Sequence, residues 1–370
     1  MNLSYWEYKT WLSNIDFTIV GSGIVGLNCA FQLKKRFPKA KILILEKGIL
    51  PQGASTKNAG FACFGSISEI ISDLKKHSEE EVLQLVQKRW DGVQLLRENL
   101  GDTHIDFQNH GGHEIFTVQK ANLYESCLTN LETINSLLQP IFKGDSFKKH
   151  KNIFNFKGIQ ENYITSDFES QIDTGKMMHR LLSLVQSNNI NILNSVTVEN
   201  YSENINSISL QTNLFEFKTK KLIIATNGFA PQLINEDIKP ARAQVLITKP
   251  IPNLKIKGTF HLDEGYYYFR NIENRILFGG GRNLDFDTEE TTVFGETALV
   301  QNTLEKMLKD IILPDSDFVI DQRWSGIMGM GEQKRPIVKQ ISENVYCGIR
   351  LGGMGIAIGS IIGKDLADLV

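Results

Sequence analysis

Residues 16–46 read DFTIVGSGIVGLNCAFQLKKRFPKAKILILE. The apolar run that ends at Val20 predicts a strand, the stretch after Gly26 predicts a helix, and residues 41–46 predict a second strand. Between the two strands lies the pattern Gly-x-Gly-x-x-Gly, which is typical of a βαβ unit that binds a dinucleotide. This stretch therefore predicts an α/β fold with a Rossmann-like domain and a parallel sheet.

Each glycine of this turn has a physical task. Gly21 permits the tight turn, Gly23 leaves room for a pyrophosphate, and Gly26 lets the helix and strand pack closely. The phosphates then lie at the helix N-terminus, where free N–H groups and the dipole favour negative charge. Glu46 ends the second strand, where its carboxylate can accept hydrogen bonds from a ribose and disfavours a 2′-phosphate. The alternative is a βαβ crossover that binds nothing. The same predicted phosphate loop includes Ser22, Ile24 and Val25.

Length and composition indicate a globular protein of two domains. The chain has 370 residues, which exceeds a single typical core. Its content of 41% hydrophobic and 22% charged residues is usual for globular proteins. The formal net charge of −2 offers no electrostatic footprint for nucleic acid, so we expect no such partner.

The cysteines and the apolar segments bear on the compartment. The chain contains no C-x-x-C pattern, which argues against a zinc site or a redox dithiol and fits a reducing compartment. The N-terminus shows no basic region followed by an apolar core, so no signal peptide is predicted. The apolar run at 351–363 is too short and too rich in glycine to span a bilayer. We therefore expect a cytoplasmic protein without a metal or a membrane span. The cysteines are Cys29, Cys63, Cys127 and Cys347.

Periodicity predicts the remaining elements. Helices are predicted at 79–99, about 119–138, 174–187, about 295–310 and from about 355 to the C-terminus. Strands are predicted at 111–118, 190–198 and 221–225, and a hairpin at 266–270 and 275–279. Alternation in that hairpin places Tyr266, Tyr268 and Arg270 on one face.

A second glycine cluster distinguishes between FAD and NAD. Gly352-Gly353-Met354-Gly355 opens the last predicted helix, so its backbone N–H groups can face an anion. A reduced flavin carries negative charge at its pyrimidine edge, which such a helix end would stabilise, whereas NAD has no equivalent need. The cluster therefore favours FAD. The alternative is a close contact between helix and sheet that requires only small residues.

Several motifs occur in the order and spacing of one known family. They are IVGSGIVG at 19–26, GASTKNAG at 53–60, ATNG at 225–228, YFR at 268–270, RILFGGG at 275–281, WSG at 324–326 and the final glycine-rich helix. Together they resemble the D-amino-acid oxidase/glycine oxidase superfamily of FAD enzymes over nearly the whole chain. The loop at 53–60 and the WSG segment are most similar to its γ-glutamylputrescine oxidase-like branch.

The resemblance implies two interleaved domains. One is an FAD-binding domain with a parallel sheet, and the other is a substrate domain on a mostly antiparallel sheet that covers the isoalloxazine. The FAD-binding domain would comprise residues 1–80, 145–235 and 322–370. The substrate domain would comprise residues 81–144 and 236–321.

The resemblance also implies where FAD lies. The glycine loop would hold the pyrophosphate, Glu46 the adenosine ribose, and the Val196 backbone the adenine region. Residues 57–59 would pass along the flavin ring, and residues 353–355 would face its pyrimidine edge. No cysteine lies in 324–331, where the sarcosine oxidase branch links its flavin, so non-covalent FAD is predicted. Further predicted FAD-binding residues are Lys47, Ser55, Lys57, Asn58, Ala59, Gly60, Ala225, Thr226, Asn227, Gly228, Arg350, Gly352, Gly353, Met354 and Gly355.

The substrate site departs from the family pattern. Glycine oxidase-like members hold the substrate carboxylate with an arginine two residues after the glycine of Trp-x-Gly, and this chain has Met328 there. Arg282 and Arg350 are the candidate replacements. Tyr266 and Tyr268 lie where the family presents side chains to the substrate. Three other arginines are predicted to be structural: Arg242, Arg270 and Arg323.

Three functions are compatible with this sequence. The first is an FAD-dependent oxidoreductase that moves a hydride from a CH–NH group of an amino acid or amine to flavin N5, with hydrolysis of the imine and oxygen as acceptor. The second is a 2-hydroxy-acid dehydrogenase that passes electrons to a quinone or carrier. The third is a non-catalytic flavoprotein. The oligomeric state stays open.

Overall fold

Two eight-stranded sheets organise the structure, a computed structural model that describes residues 2–370. Within these residues the strands β1–β18 are, in chain order, Ile15–Val20, Ile42–Leu45, Phe61–Ala62, Gly112–Glu114, Lys148–Lys151, Asn162–Ser166, Ser170–Gln171, Asn191–Leu193, Val198–Asn204, Ser207–Thr212, Glu216–Ile224, Lys239–Thr248, Thr259–Leu262, Tyr267–Ile272, Arg275–Gly280, Ile320–Met330, Ile337–Ser342 and Val345–Ile349. The α-helices α1–α10 are Tyr5–Glu7, Ile24–Arg36, Ile67–Leu74, Glu79–Leu100, Asp102–Ile105, Ala121–Phe142, Thr174–Ser187, Phe286–Glu289, Ala298–Met307 and Gly355–Asp368.

The first sheet contains the predicted βαβ unit, which is confirmed. Its order is β17-β18-β11-β1-β2-β8, and the hairpin of β9 and β10 pairs onto β11. The pairs from β18 through β11, β1 and β2 to β8 are parallel. The central strands β1 and β2 are buried on both faces, as expected for a parallel sheet covered by helices.

Small residues bring three helices together on one face of this sheet. A Cβ at Gly359 in α10 would lie 2.6 Å from Ile24 in α2. A Cβ at Gly92 in α4 would lie 2.1 Å from the carbonyl oxygen of Ala357 in α10. These helices share one buried cluster, so the C-terminal segment packs against the N-terminal unit.

The second sheet is mostly antiparallel, in the order β16-β12-β15-β14-β13-β4-β6-β5, with one parallel pair, β13 and β4. One of its faces packs into an aromatic core together with α9. The stacked rings of Phe260 and Phe269, whose centroids are 4.5 Å apart, lie in this core. This mixed α/β architecture confirms the predicted fold class.

Most predicted elements are present, with three differences. The predicted strand 190–198 is interrupted because Ser195 has a left-handed φ of 59°, and only Asn191–Leu193 pairs with β2. The predicted strand at 111–118 is shorter, at Gly112–Glu114. The predicted domain boundaries do not follow the sheets, because β5, β6 and β16 all pair within the second sheet. The division into two domains itself stays a prediction.

No helix within residues 2–370 is both long enough and apolar enough to cross a membrane.

Candidate functional site

Four parallel strands end at the same edge of the first sheet. β1 leads into Gly21, β2 into Glu46, β11 into Ala225 and β18 into Arg350. Ligands of open α/β sheets bind at the carboxyl ends of the strands, outside the sheet edge. This edge therefore gathers the predicted dinucleotide-binding segments, although they come from both ends of the chain.

The glycine loop requires glycine at each of its three positions. Gly21 has a φ of +103°, and a Cβ there would lie 2.8 Å from the carbonyl oxygen of Ala225. A Cβ at Gly23 would lie 2.8 Å from Ser55 Oγ, and one at Gly26 would lie 2.0 Å from the carbonyl oxygen of Gly21. The loop thus leaves a side-chain-free surface before α2, with Ser22, Ile24 and Val25 in the same turn.

Glu46 organises the loops on either side of it. Its Oε2 accepts hydrogen bonds from the backbone N and Oγ of Ser22, at 3.0 and 2.7 Å. Its Oε1 accepts from the backbone N of Gly48 at 2.9 Å and of Gln52 at 3.3 Å. The backbone N of Val196 donates to the Glu46 carbonyl at 2.9 Å, which places Val196 at this strand end. A carboxylate has about four acceptor positions, and these four hydrogen bonds occupy them. Glu46 therefore holds the phosphate loop, and a ribose hydroxyl would have to displace one of these donors.

The turn after β11 is tied to the turn after β18 by one side chain. Asn227 Oδ1 accepts hydrogen bonds from the backbone N of Arg350 at 3.0 Å and of Leu351 at 3.2 Å. Both Asn227 and Arg350 have left-handed φ values, 46° and 62°. Gly228 allows the Met328 carbonyl to approach, because a Cβ at Gly228 would lie 2.4 Å from that oxygen.

The side chain of Arg350 forms hydrogen bonds within the protein. Its guanidinium donates to the carbonyl and Oδ2 of Asp237, at 3.0 and 2.8 Å, and to the Arg335 carbonyl at 3.0 Å. Because this guanidinium holds two loops together, Arg350 is the less favoured of the two candidate replacements for the missing substrate arginine.

The small-residue loop at 53–60 connects the glycine turn to the second sheet. Ser55 Oγ accepts from the backbone N of Ile24 at 3.0 Å, at the start of α2. Asn58 Oδ1 accepts from the backbone N of Gly60 and from Thr174 Oγ1, both at 2.8 Å. These bonds fix a short 3₁₀ turn at Ala54–Thr56 and the extended segment after it.

The second sheet presents one row of side chains to this loop. Residues that are directly opposite across paired strands lie on the same face of a sheet. Here they form what we call the transverse row, which crosses six strands: Trp324, Val245, Gly279, Tyr268, His261 and Glu114.

The transverse row contacts the loop along its length. Trp324 Nε1 donates to the Lys57 carbonyl at 3.0 Å. The Phe61 ring lies 5.7 Å from the Tyr268 ring and 5.3 Å from the His261 ring, in both cases edge to face. Ala59 belongs to the same buried apolar cluster as Tyr268 and Trp324. The loop thus packs directly on the transverse row beside the dinucleotide edge, and we call this contact region the candidate substrate site.

Tyr268 is the aromatic residue that the structure places in this site. Its ring lies over Gly279, where a Cβ would be 2.7 Å from the ring. Burial raises the pKa of Tyr268 to about 12, and within residues 2–370 its hydroxyl has no hydrogen-bond partner. Tyr266 does not share this wall: it precedes β14, and its ring packs 6.0 Å from Phe286. The expectation that Tyr266 and Tyr268 share one face is therefore wrong, because alternation begins only at Tyr267.

Arg282 and Met328, two further candidates for the substrate site, contact different parts of the protein. The Arg282 guanidinium lies 4.8 Å from the Phe286 ring centre and, within residues 2–370, has no ion pair or hydrogen bond. Burial lowers its pKa. Met328 alternates along β16 with Trp324 and Gly326, so it shares the face that contacts Lys57. Of the two candidate arginines, Arg282 is thus the one without an ion pair within residues 2–370, and it lies beside Phe286, the ring on which Tyr266 also packs.

The two other predicted flavin segments border open space. A Cβ at Gly352 or Gly353 would meet no atom within 4 Å, and Met354 caps the N-terminus of α10. Thr226 Oγ1 is buried without a hydrogen-bond partner, beside the glycine turn. Lys47 lies with its Nζ 5.2 Å from the Phe229 ring centre. Together with the glycine loop and Glu46, these features fit a dinucleotide, and the sheet order places the chain in the doubly wound α/β class.

The comparisons with known proteins agree. Residues 16–369 match the family described as FAD dependent oxidoreductase, DAO. The chain belongs to this family and is an FAD-dependent oxidoreductase. The family and its FAD cofactor were both predicted from the sequence, and both are confirmed.

Individual relatives are distant but cover almost the whole chain. A glycine oxidase from Geobacillus kaustophilus (strain HTA426) is 24% identical over 370 residues, covering 96% of this chain and 92% of that protein. A probable oxidoreductase, OrdL, from Haemophilus influenzae (strain ATCC 51907 / DSM 11121 / KW20 / Rd) is 20% identical over 396 residues, covering 98% and 84%.

Solved structures share the fold. The crystal structure of glycine oxidase from Geobacillus kaustophilus has a TM-score of 0.78 at 20% identity, covering 96% of this chain and 94% of that one. L-proline dehydrogenase from P. horikoshii has a TM-score of 0.75 at 16% identity, covering 96% and 93%.

Sequence reasoning missed a buried polar cluster at the far end of the transverse row. His261 Nε2 and Glu169 Oε2 are 3.0 Å apart, and Cys63 lies beside them. Burial would lower the pKa of His261, but the carboxylate of Glu169 and neighbouring acids raise it to about 9. Burial raises the pKa of Glu114 to about 7, although the backbone N and hydroxyl of Ser68 donate to it. These residues are far apart in sequence, so no spacing motif could reveal them.

Arg270 also differs from an ordinary structural arginine. It is 2% exposed, and its Nη1 makes only a 3.4 Å hydrogen bond to the Gly60 carbonyl, while its Nε has no partner. Burial lowers its pKa to about 10. By contrast, Arg242 and Arg323 are paired with Glu289 and Glu305, as expected for structural residues.

Proposed function

We propose that this protein oxidises a CH–NH bond of an amino acid or amine with non-covalently bound FAD. The observation that carries the proposal is the Tyr268 phenol, which has no hydrogen-bond partner within residues 2–370 and lies against the loop that continues from the dinucleotide edge. Its position on the transverse row makes it a side chain that a substrate at this edge would contact. The nearer resemblance to γ-glutamylputrescine oxidase-like enzymes stays a prediction.

The chain's residues would hold FAD as follows. The glycine loop, with Ser55 beside it, would face the pyrophosphate, and Glu46 would face the ribose while it supports that loop. Residues 57–60 would run along the ring system, and the N-terminus of α10 would face an anionic edge. Bound FAD supplies the two-electron acceptor for the reaction.

The protein's contribution to the reaction is orientation and exclusion of water. Phe61 and Tyr268 meet edge to face and close one side of the site. The Tyr268 hydroxyl is protonated at neutral pH and can donate a hydrogen bond, and burial raises its pKa further, to about 12. A substrate that arrives as a neutral amine needs no protein base.

Arg282 is the proposed carboxylate contact, and the substrate carboxylate would then lie on the side of Tyr266 and Phe286 rather than on the transverse row. Met328 stands at the family's usual arginine position, and the guanidinium of Arg350 is committed to Asp237. The Arg282 guanidinium is partly buried and pairs with no carboxylate within residues 2–370. A desolvated guanidinium favours a carboxylate partner because the pair regains hydrogen bonds in a low dielectric.

The substrate test is anaerobic reduction of the flavin. The purified holoenzyme is mixed with separate panels of amines, amino acids and N-substituted amino acids, and the visible flavin bands are followed. Bleaching by members of these panels supports the proposal. Bleaching by 2-hydroxy acids alone, or by no compound, refutes it. Release of all FAD on denaturation tests the non-covalent prediction.

The role of Arg282 has its own test. Arg282→Ala should raise KM for carboxylated substrates by roughly 10- to 100-fold, as for loss of one charge-assisted contact of about 1.5–3 kcal/mol. The same change should leave amines without a carboxylate unaffected. Arg180→Ala is the matched control, because Arg180 in α7 also has no ion pair within residues 2–370. Equal KM values for Arg282→Ala and the wild type on carboxylated substrates would contradict the assignment.

A further inference from the structure

Three potential metal ligands meet where the second sheet contacts the segment after β3. Cys63 follows β3, Glu169 precedes β7, and His261 lies in β13 on the transverse row. One ligand atom from each residue lies within 4.8 Å of the other two. All three residues are at least nine-tenths buried, at 5%, 1% and 5% exposure. Their different positions in the chain make this a product of the tertiary fold.

The cluster has unused ligand capacity. Glu169 Oε1 is buried and has no hydrogen-bond partner, so only one of its carboxylate oxygens is satisfied, by His261. The Cys63 thiol has a single polar contact, with Met354 Sδ at 3.7 Å. An unpaired buried carboxylate oxygen is costly unless another group compensates it. The neighbouring chain leaves room for this carboxylate, since a Cβ at Gly112 would lie 1.9 Å from Glu169 Oε2.

We propose that Cys63, Glu169 and His261 bind a zinc ion. This departs from the sequence-based expectation of no metal, because these ligands come from separate segments and form no C-x-x-C pattern. Sulfur, imidazole nitrogen and carboxylate oxygen are the three ligand types of protein zinc sites, whereas magnesium and calcium require oxygen ligands throughout. A thiolate and a carboxylate together neutralise the two positive charges of the ion, which lowers the cost of burying it. Three protein ligands leave the fourth tetrahedral position open for water or a substrate atom.

This site lies at the edge of the proposed substrate site. The Phe61 ring is 5.3 Å from His261 and 5.7 Å from Tyr268, so the same side chain borders both. Met354, which contacts Cys63, caps the helix that follows the second glycine cluster. A zinc ion here would place a positive charge beside the proposed substrate site, whether or not the substrate carries a carboxylate.

Elemental analysis of the holoenzyme is the first test. The protein is dialysed against zinc, and loosely bound metal is removed. We expect about one zinc per chain in the wild type, and at least a tenfold lower content in Cys63→Ala, Glu169→Gln and His261→Gln. Cys127→Ala is the matched control, because Cys127 is also fully buried but lies in α6 in a different apolar cluster. Zinc content that is equal in all variants would overturn the proposal.

X-ray absorption at the zinc edge keeps the proposal testable even if the variants fail to fold. The wild-type holoenzyme should show one sulfur at about 2.3 Å and nitrogen or oxygen neighbours at about 2.0–2.2 Å. A spectrum without a sulfur neighbour, or a wild-type protein that takes up no zinc, would show that these residues form only an ion pair beside a thiol. Retention of FAD absorbance by each variant reports that it is folded.

Discussion

The substitution Glu46→Gln tests whether this acid organises the phosphate loop or serves only a ribose. The carboxylate accepts four hydrogen bonds, from Ser22 N and Oγ and from the backbone N of Gly48 and Gln52. Glutamine retains one acceptor oxygen, but its NH₂ group replaces the second carboxylate oxygen and faces the two donors that this oxygen accepted from. Two charge-assisted bonds are therefore lost, each of which contributes about 1.5 kcal/mol or more, so we expect a loss of about 3 kcal/mol of unfolding free energy.

The decisive measurement is urea unfolding of the FAD-free protein. With an m-value of about 3 kcal/mol per molar urea, the expected loss lowers the unfolding midpoint by about 1 M. Glu199→Gln is the control, because Glu199 is exposed on β9, and it should change stability by no more than about 0.5 kcal/mol. An FAD-free Glu46→Gln protein as stable as the wild type, with only its FAD affinity reduced, would refute the reasoning.

Three further predictions concern the packing that supports the site. Asn227→Ala should lower the free energy of unfolding by about 2 kcal/mol and weaken FAD retention, because the hydrogen bonds from the backbone N of Arg350 and Leu351 are lost. Asn227→Asp keeps an oxygen that can accept both bonds, so equal melting temperatures for the two variants would contradict this. Gly92→Ala should lower the free energy of chemical unfolding by about 2 kcal/mol, although alanine is the better helix former, because its Cβ would lie 2.1 Å from the Ala357 carbonyl oxygen. The control is Gly144→Ala, which should be neutral because a Cβ there meets nothing within 4 Å. A neutral Gly92→Ala would show that α4 and α10 can separate freely. Burial lowers the pKa of His113 to about 4 from an ordinary 6.5, so the unfolded state binds more protons below about pH 6.5 and stability falls as the pH drops toward 4. Between about pH 7 and pH 5 the wild type should therefore lose about 2 kcal/mol more unfolding free energy than His113→Gln. Parallel pH profiles of unfolding free energy for the two proteins would exclude this titration.

The elements that were predicted correctly depend on local sequence. The βαβ unit at 15–45, the helix Thr174–Ser187 and the hairpin of β14 and β15 follow from periodicity and turn residues within a few positions of each other. The sequence also predicted which glycines have a steric role, since a Cβ at Gly21, Gly23 or Gly26 would meet another atom at 2.8 Å or less. The FAD cofactor and the family could be inferred because several such local motifs occur in a fixed order.

Side-chain direction at the ends of elements was not predictable. Alternation placed Tyr266 with Tyr268, but the strand begins one residue later, so Tyr266 packs on Phe286 instead. Arg350 was a candidate contact for the substrate carboxylate, yet its guanidinium forms an ion pair with Asp237. In both cases the competing partner lies elsewhere in the chain, and its position depends on how distant segments pack.

The sequence by itself therefore determined the class of fold, the dinucleotide turn and the redox cofactor, because each is encoded in residues close together in the chain. Only the tertiary structure decided which residues meet across strands. The transverse row combines six strands, and Cys63, Glu169 and His261 come from three separate segments. The pairing register of the strands brings these groups together, and register arises from the burial of whole sheet faces rather than from any short motif.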